Sequence, residues 1–285
     1  MNILIADSGS TKTEWLIAVV DEVSDAFESR SFRTSGLNPC LMGDDEIRKI
    51  LLEEVAPQLE DLHFARLSFY GAGCTPAQTE RMSGLLRQYV ATNDVDVASD
   101  LYGAARLLCR NTEGIVAILG TGSGSGLFDG ERFVRQTPSM GFILGDEGSG
   151  AVLGKNFLGN LYKGQFPEDV TAKAMAILGH DLPTIIEHVY RKPCPNRYLA
   201  SYTHCIKRLE QEESVRVFLR NNFESFFRRN ILSYGRPELP VHFVGSVAAV
   251  FEQPLREAAA LCNCRIGDIV QSPLSRVDRS LFVKK

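Results

Sequence analysis

Two glycine-containing segments and a few carboxylates carry most of the residues in this chain that could hold phosphate or move a proton. The first segment is DSGSTKT, from Asp7 to Thr13. Its small residues, Gly9 among them, let backbone amides approach an anion, and the Ser10, Thr11 and Thr13 hydroxyls and the Lys12 ammonium add donors. Asp7 ends an apolar run and has no basic neighbour before Lys12, so its chemical use there is to hold hydrated Mg²⁺ beside phosphates. The alternative is an ordinary tight hairpin capped by Asp7, with Lys12 solvated at its tip. For one loop alone that alternative is favoured, since short glycine motifs recur by chance.

A second loop, GTGSGSG from Gly120 to Gly126, shifts the balance. Four glycines at alternating positions cost backbone entropy and add no packing, so such a loop has something to approach. Gly120, Thr121, Gly122 and Ser123 suit the terminal phosphates of a nucleotide; a sharply turning strand connection is the other reading. Asp100 closes the run DVDVASD and opens LYGAARLL, at a strand-to-helix junction where α/β folds place ligands. It serves either as a helix N-cap or, facing a ligand, as the acceptor of a proton from a hydroxyl attacking a γ-phosphate.

Three further segments complete the set. In GFILGDEGSGAVLG, Gly141 to Gly154, Asp146 suits paired sugar hydroxyls, with capping of the following helix by Asp146 or Glu147 as the alternative. Asn38, in the turn Ser35 to Pro39, offers both a donor and an acceptor to the same sugar. Val241 to Ser246 (VHFVGS) ends a strand in Gly245 and Ser246 ahead of a helix, which suits the adenosine end of a nucleotide or simply a strand-to-helix turn. The five histidines show no metal-ligating spacing.

Positioning these residues requires an alternation of strands and helices. Strand patterns are expected at Asn2 to Ala6, Trp15 to Val20, Leu67 to Tyr70, Ile115 to Leu119, Arg132 to Arg135, Val241 to Val244 and around Arg265 to Ile269. Helical spacing covers Asp45 to Leu59, Pro76 to Tyr89, Leu101 to Leu108, Ser149 to Leu161, Val170 to Leu178, Leu182 to Tyr190 and the stretch from Tyr198 to Tyr234. The strand, glycine turn and returning strand occur twice. The chain therefore reads as α/β, with two related lobes, 1–113 and 114–285, a helical insertion in the second, and a cleft between them.

Composition narrows the function. A net charge of -4 offers no basic field for nucleic acid, and no apolar stretch reaches the roughly 20 residues that cross a bilayer. Met1 runs directly into a strand-like segment without a leader pattern, so the expected location is the cytoplasm. Seven scattered cysteines, an odd count, argue for reduced thiols rather than a disulfide framework, and the lone Cys262-x-Cys264 pair is weak as a metal motif.

In this order, the Asp7 hairpin, Asn38, Ser99-Asp100, Gly120-Thr121-Gly122-Ser123, Gly145-Asp146-Glu147-Gly148-Ser149, the segment around Arg197 to Tyr202, and Val244-Gly245-Ser246 resemble the N-acetylglucosamine kinase family of the sugar kinase, Hsp70 and actin superfamily. The resemblance spans nearly the whole chain. It implies two ribonuclease H-like lobes of the actin-like ATPase fold, with ATP and Mg²⁺ as cofactors and an amino sugar, most simply N-acetylglucosamine, phosphorylated to its 6-phosphate. It further implies that Thr11 and Thr121 contact phosphates, that Ala200, Gly245 and Ser246 contact adenosine, and that Asn38, Asp100, Ser139, Met140, Gly141 and Asp146 contact the sugar, Asp100 being the general base. The animal enzymes carry a tryptophan between glycines where this chain has Ser139-Met140-Gly141, a difference that bears on the sugar's identity. A homodimer is the commonest expectation for such an enzyme.

Two other readings belong to the same superfamily. One is an ATPase that activates a reductase or dehydratase through a shared iron-sulfur cluster; here the helical region offers Cys194 and Cys205 without that family's local pattern. The other is a catalytically silent sugar sensor, against which the retained Asp100 argues.

Overall fold

The computed structural model describes residues 1–9, 11–21 and 26–282; Ser10, named above as a phosphate donor, lies outside them. The chain divides into two compact units, one made of Met1–Arg110 with the residues from Ser272 onward, the other of Asn111–Gln271.

The first unit is built on β1 (Asn2–Ser8), β2 (Lys12–Val20), β3 (Phe27–Ser35), β4 (Arg66–Gly71) and β5 (Val95–Ser99), in the order β3-β2-β1-β4-β5. The first three strands form an antiparallel meander, and β4 and β5 run parallel to β1. Successive side chains of β1 serve opposite faces, as the pleat requires. Leu4 and Ala6 join Trp15, Ile17, Leu37, Phe64 and Phe69 on one side, and Ile3 and Ile5 meet Val20, Tyr70 and Leu107 on the other. The α-helices that accompany this sheet among the described residues are α1 (Asp44–Ile50), α2 (Ala56–Leu59), α3 (Pro76–Leu86) and α4 (Asp100–Leu108).

Two features of this unit differ from expectation. β3 was not among the expected strands, because its sequence, FESRSFRTS, is mostly polar. As an edge strand it needs little apolar alternation; Phe32 stacks on the buried Trp15 at 5.9 Å, and Trp15 Nε1 donates to Thr34 Oγ1 at 3.0 Å. The segment from Ser272 to Phe282, expected in the second lobe, packs instead on this sheet. Leu274 is buried with Ile3, Ile5 and Leu107, Phe282 stacks on Phe27, and Arg110 pairs with Asp278. The apolar outer face of β1 and β2 needs this cover, and the segment supplies it.

The second unit repeats the strand order. Its strands are β6 (Gly114–Leu119), β7 (Ser123–Phe128), β8 (Phe133–Thr137), β9 (Pro240–Val244) and β10 (Arg265–Val270), in the order β10-β9-β6-β7-β8. Again a three-stranded antiparallel meander gains two parallel strands beside its first. Helices α5 (Gly141–Leu144), α6 (Gly150–Tyr162), α7 (Glu168–Leu178), α8 (Leu182–Arg191), α9 (Pro195–Ser201), α10 (Thr203–Arg208), α11 (Glu213–Phe226), α12 (Ser246–Val250) and α13 (Glu252–Leu261) surround a core rich in phenylalanine, including Phe157, Phe223, Phe226, Phe227, Phe243 and Phe251.

The long glycine loop is shorter than expected. The turn covers Gly120 to Gly122, and β7 begins at Ser123, with Gly124 and Gly126 paired to Ile118 and Val116. Gly126 has a packing reason to be glycine, since a Cβ there would meet the Phe133 ring at 2.5 Å. The chain here is therefore a strand with close neighbours rather than a free loop.

Candidate active site

In the first unit, the parallel pairing of Ser8 with Gly71 and of Gly71 with Ser99 brings the ends of β1, β4 and β5 to one edge. Open α/β sheets bind ligands at this edge, where strand ends and helix beginnings leave polar backbone unpaired. The Gly9 amide donates to the Lys12 carbonyl at 2.9 Å and closes the β1–β2 turn, leaving Thr11 and Lys12 exposed at its tip. Thr13 does not join them. It is fully buried, its hydroxyl bonded to Ser8 Oγ at 2.7 Å and donating to the Ser35 carbonyl at 3.1 Å, so its side chain pins the Ser35 turn rather than a phosphate.

Asp7 and Asp100 are close enough to sense each other's charge. Burial, and then the Asp100 carboxylate, push the Asp7 carboxyl up to about 7. No side chain among the described residues hydrogen-bonds to Asp7. An enclosed carboxylate with a like-charged neighbour and no such partner has the chemistry of a cation site, and it fits a hydrated Mg²⁺.

Asp100 is the first residue of α4, but it is not the cap. The Ser99 hydroxyl takes that role, accepting from the Tyr102 amide at 3.2 Å. One Asp100 oxygen, Oδ1, accepts from the Leu101 amide at 2.8 Å, and burial raises the carboxyl above its usual range. Ser99 thus takes the cap, while Asp100 still satisfies the Leu101 amide through one oxygen and keeps a carboxyl raised by burial at the sheet edge.

Asn38 sits at the same edge, 7% exposed. Its Oδ1 accepts from the Cys40 amide at 3.0 Å and its carbonyl accepts from the Leu41 and Met42 amides. Arg81 holds this loop from α3. Its guanidinium donates to Asp44 Oδ1 at 2.6 Å, the Pro39 carbonyl at 2.7 Å and the Met42 carbonyl at 2.9 Å. Nothing in the local sequence connects Arg81 to this loop, since Pro39 lies 42 residues away from it.

In the second unit a comparable edge forms around Gly120. The Gly120 amide donates to the Gly122 carbonyl at 3.0 Å, and the first amides of α6, from Gly150 and Ala151, donate to the Gly120 and Thr121 carbonyls at 2.8 and 3.1 Å. Helix α6 therefore fixes the turn's carbonyls inward. Gly245 lies alongside, at φ +122, where a Cβ would meet the Leu119 carbonyl oxygen at 2.3 Å. Ala200 arrives from α9, because Gly150 and Gly154 let α6 approach closely: a Cβ at 150 would lie 3.2 Å from Ala200 Cβ, and one at 154 only 1.9 Å from the Leu199 carbonyl oxygen. Ser246, next to Gly245, is exposed. Residues as far apart in sequence as Gly120 and Ser246 thus share one edge.

Asp146 belongs to this edge as well. Ser149 caps α6, accepting from the Val152 amide at 3.2 Å, so neither Asp146 nor Glu147 is needed there. Asp146 holds φ +54, an uncommon backbone state for a residue other than glycine. Its Oδ1 accepts from Ser139 Oγ at 3.2 Å, and a Cβ at 122 would meet its Oδ2 at 3.0 Å. Partial burial raises its carboxyl despite the Ser139 hydrogen bond. Its neighbour Glu147 is held by Asn230 Nδ2 at 3.3 Å and by Arg229 at 3.5 Å. Met140 and Gly141, beside Ser139, are exposed.

No helix among the described residues is long and apolar enough to cross a membrane, and no group of three or more His, Cys, Asp or Glu among them is placed to hold a metal.

No family model and no curated protein matches the chain. Among solved structures, a candidate N-acetylglucosamine kinase from Porphyromonas gingivalis is 42% identical over 96% of both chains, with a TM-score of 0.86. A candidate N-acetylglucosamine kinase from Chromobacterium violaceum has the same fold at 17% identity, 96% coverage of each chain and a TM-score of 0.74. So has a ROK-family glucokinase from Streptomyces griseus, solved with glucose and AMPPNP, at 14% identity, 94% coverage of each chain and a TM-score of 0.56. With 42% identity over 96% of both chains and a TM-score of 0.86 to the first of these, the chain belongs to the N-acetylglucosamine kinase family of ATP-dependent sugar kinases, within the actin-like ATPase fold.

Proposed function

We propose that the protein transfers the γ-phosphoryl group of ATP to a hydroxyl of an amino sugar in the cytoplasm, with N-acetylglucosamine and its 6-phosphate as the leading substrate and product. The observation that carries this reading is Asp100. It stands where the parallel strands β4 and β5 end, leaves the cap of α4 to Ser99 while accepting from the Leu101 amide, and is shifted by burial toward holding a proton. As the sugar oxygen forms its bond to the γ-phosphorus and the bond to the β-phosphate oxygen breaks, Asp100 takes the hydroxyl proton and ADP leaves.

The remaining residues position and neutralise. The Gly9 and Gly120 amides close their own turns, so the groups that would address the phosphates are those of Thr11 and Lys12 in the first unit and of Thr121, Gly122 and Ser123 in the second. Asp7 would hold Mg²⁺ through water, and the bound cation would supply neutralisation of charge on the transferring phosphates. Ala200, Gly245 and Ser246 take the adenosine. Asn38, Ser139, Met140, Gly141 and Asp146 orient the sugar, Asp146 accepting from its hydroxyls. Asn38 and Asp146 are both already fixed by local hydrogen bonds, which supports preorganised roles.

The test is ADP release with Mg²⁺-ATP across a panel of amino sugars and their N-acyl derivatives, wild type against Asp100→Asn. The expected result is turnover with one amino sugar that falls by about 10²–10⁴-fold in the variant. Sugar-independent ATP hydrolysis unchanged in the variant would instead identify an activator ATPase, and sugar binding without turnover a sensor.

A further inference from the structure

The Asn38 loop and the turn after β4 carry a pair of thiols that the phosphoryl-transfer reading leaves unused. Cys40 is exposed and Cys74 is buried at 4% exposure. Cys40 Sγ donates to the Gly73 carbonyl at 3.1 Å, so the exposed sulfur already rests on the residue next to Cys74. A Cβ at 73 would stand 3.2 Å from Cys40 Cβ, and the Cys74 sulfur lies 2.9 Å from where a Cβ at 71 would be. Both sulfurs therefore border one four-residue turn, Gly71 to Cys74. The charge of Cys40 and that of Asp100 both reach Cys74, where burial, the larger cause, keeps the thiol protonated. Elsewhere, Cys264 Sγ donates to the Cys262 carbonyl at 3.6 Å.

We propose that Cys40 and Cys74 form a reversible thiol switch, closed to a disulfide by a peroxide and reopened by a thiol reductant. Exposure makes Cys40 the sulfur that peroxide meets first. Its thiol sulfur bonds to one peroxide oxygen as the O–O bond breaks, giving a sulfenic acid and one water. The Cys74 sulfur then bonds to the Cys40 sulfur as the S–O bond breaks. The departing hydroxide takes the Cys74 proton and leaves as a second water. In sum, two thiols lose two electrons and two protons, and the peroxide is reduced to two waters.

The disulfide would reach the sugar-binding residues directly. A sulfur–sulfur bond of about 2.05 Å requires Cys40 Sγ to leave the Gly73 carbonyl for the buried side of the turn. The Cys40 amide is the donor to Asn38 Oδ1, and Gly73 is the residue against which the Asn38 carboxamide packs. Closing the bond thus pulls Asn38 out of its present orientation. This consequence for activity rests on the proposed kinase function; formation of the disulfide does not.

The experiment treats the full-length protein with hydrogen peroxide, maps its cysteines by peptide mass under non-reducing conditions, and follows sugar-dependent ADP release before and after dithiothreitol. Cys40→Ser, which keeps a hydroxyl donor for the Gly73 carbonyl, and Cys74→Ala are treated in parallel. The expected result is a Cys40–Cys74 linked peptide in the wild type alone, with turnover lost on oxidation, regained on reduction and retained by peroxide-treated Cys40→Ser. A map in which Cys40 and Cys74 stay unlinked overturns the proposal, as does equal inactivation of Cys40→Ser or a linked protein with unchanged turnover. If no sugar supports turnover in the untreated protein, the kinase reading fails by itself, and the mapping still decides whether the pair closes.

Discussion

The Asn38 carboxamide fills the space that a side chain at Gly73 would need: a Cβ there would lie 2.1 Å from Asn38 Oδ1. Gly73 also holds φ +79, a backbone state that costs other residues about 1–2 kcal/mol. Two residues 35 positions apart are therefore fitted to each other, one by having no side chain and the other by being anchored through the Cys40 amide.

Gly73→Ala should destabilise the protein by at least about 1–2 kcal/mol through backbone strain alone, and it should also displace Asn38. Steady-state kinetics should show KM for the sugar rising more than KM for ATP, because the clash lies in the Asn38 loop and not at the nucleotide residues. Equal changes in both constants would mean that Asn38 does not contact the sugar.

Asp7 gives a pH dependence with a definite sign. Its folded pKa, about 7, lies above the ordinary aspartate value of 3.8, so folding favours the protonated form. Its contribution to stability is full below about pH 4 and is lost as pH rises through about 7. Asp7→Asn removes that titration. Without Mg²⁺ or nucleotide, the variant should melt several degrees above wild type at pH 8, with the gap closing toward pH 4, where thermal denaturation of both should nearly coincide. Mg²⁺-nucleotide should stabilise wild type more than the variant, while turnover should fall in the variant.

Ser99 caps α4 and thereby sets the position of Asp100. Ser99→Ala should cost about 1 kcal/mol, the usual loss for such a cap. Because Asp100 follows directly, kcat should fall with little change in KM for ATP, and the acidic limb of the pH–rate profile should move. A stability loss with an unmoved profile would confine Ser99 to a structural role.

Leu274 tests the packing of the final segment on the first unit. It is 4% exposed among Ile3, Ile5 and Leu107. Leu274→Ala should destabilise by about 2–5 kcal/mol, measured by urea denaturation. A change within a few tenths of a kcal/mol would mean that the segment is not part of the first unit's core.

Much of this molecule was readable from local pattern. The β1 run NILIA, the two glycine turns, the helical spacing after Asp100 and the DEGS stretch each carry their signal within a few residues, because side-chain periodicity and turn chemistry are local properties. Asp100 at a strand-to-helix junction was visible in the same way. What tertiary structure decided was which alternative each residue took. Ser99 rather than Asp100 became the cap of α4, Ser149 rather than Asp146 the cap of α6, and Thr13 became a buried pin, since each outcome depends on which hydroxyl meets which amide or carbonyl after packing. Gly126 and Gly154 are glycines because Phe133 and the Leu199 carbonyl come close to them, contacts made across strands or helices distant in sequence. The polar edge strand β3, the clamp of Arg81 on the Asn38 loop and the return of Leu274 to the first sheet have no local signature, because their stabilisation comes from partners brought near only by the fold.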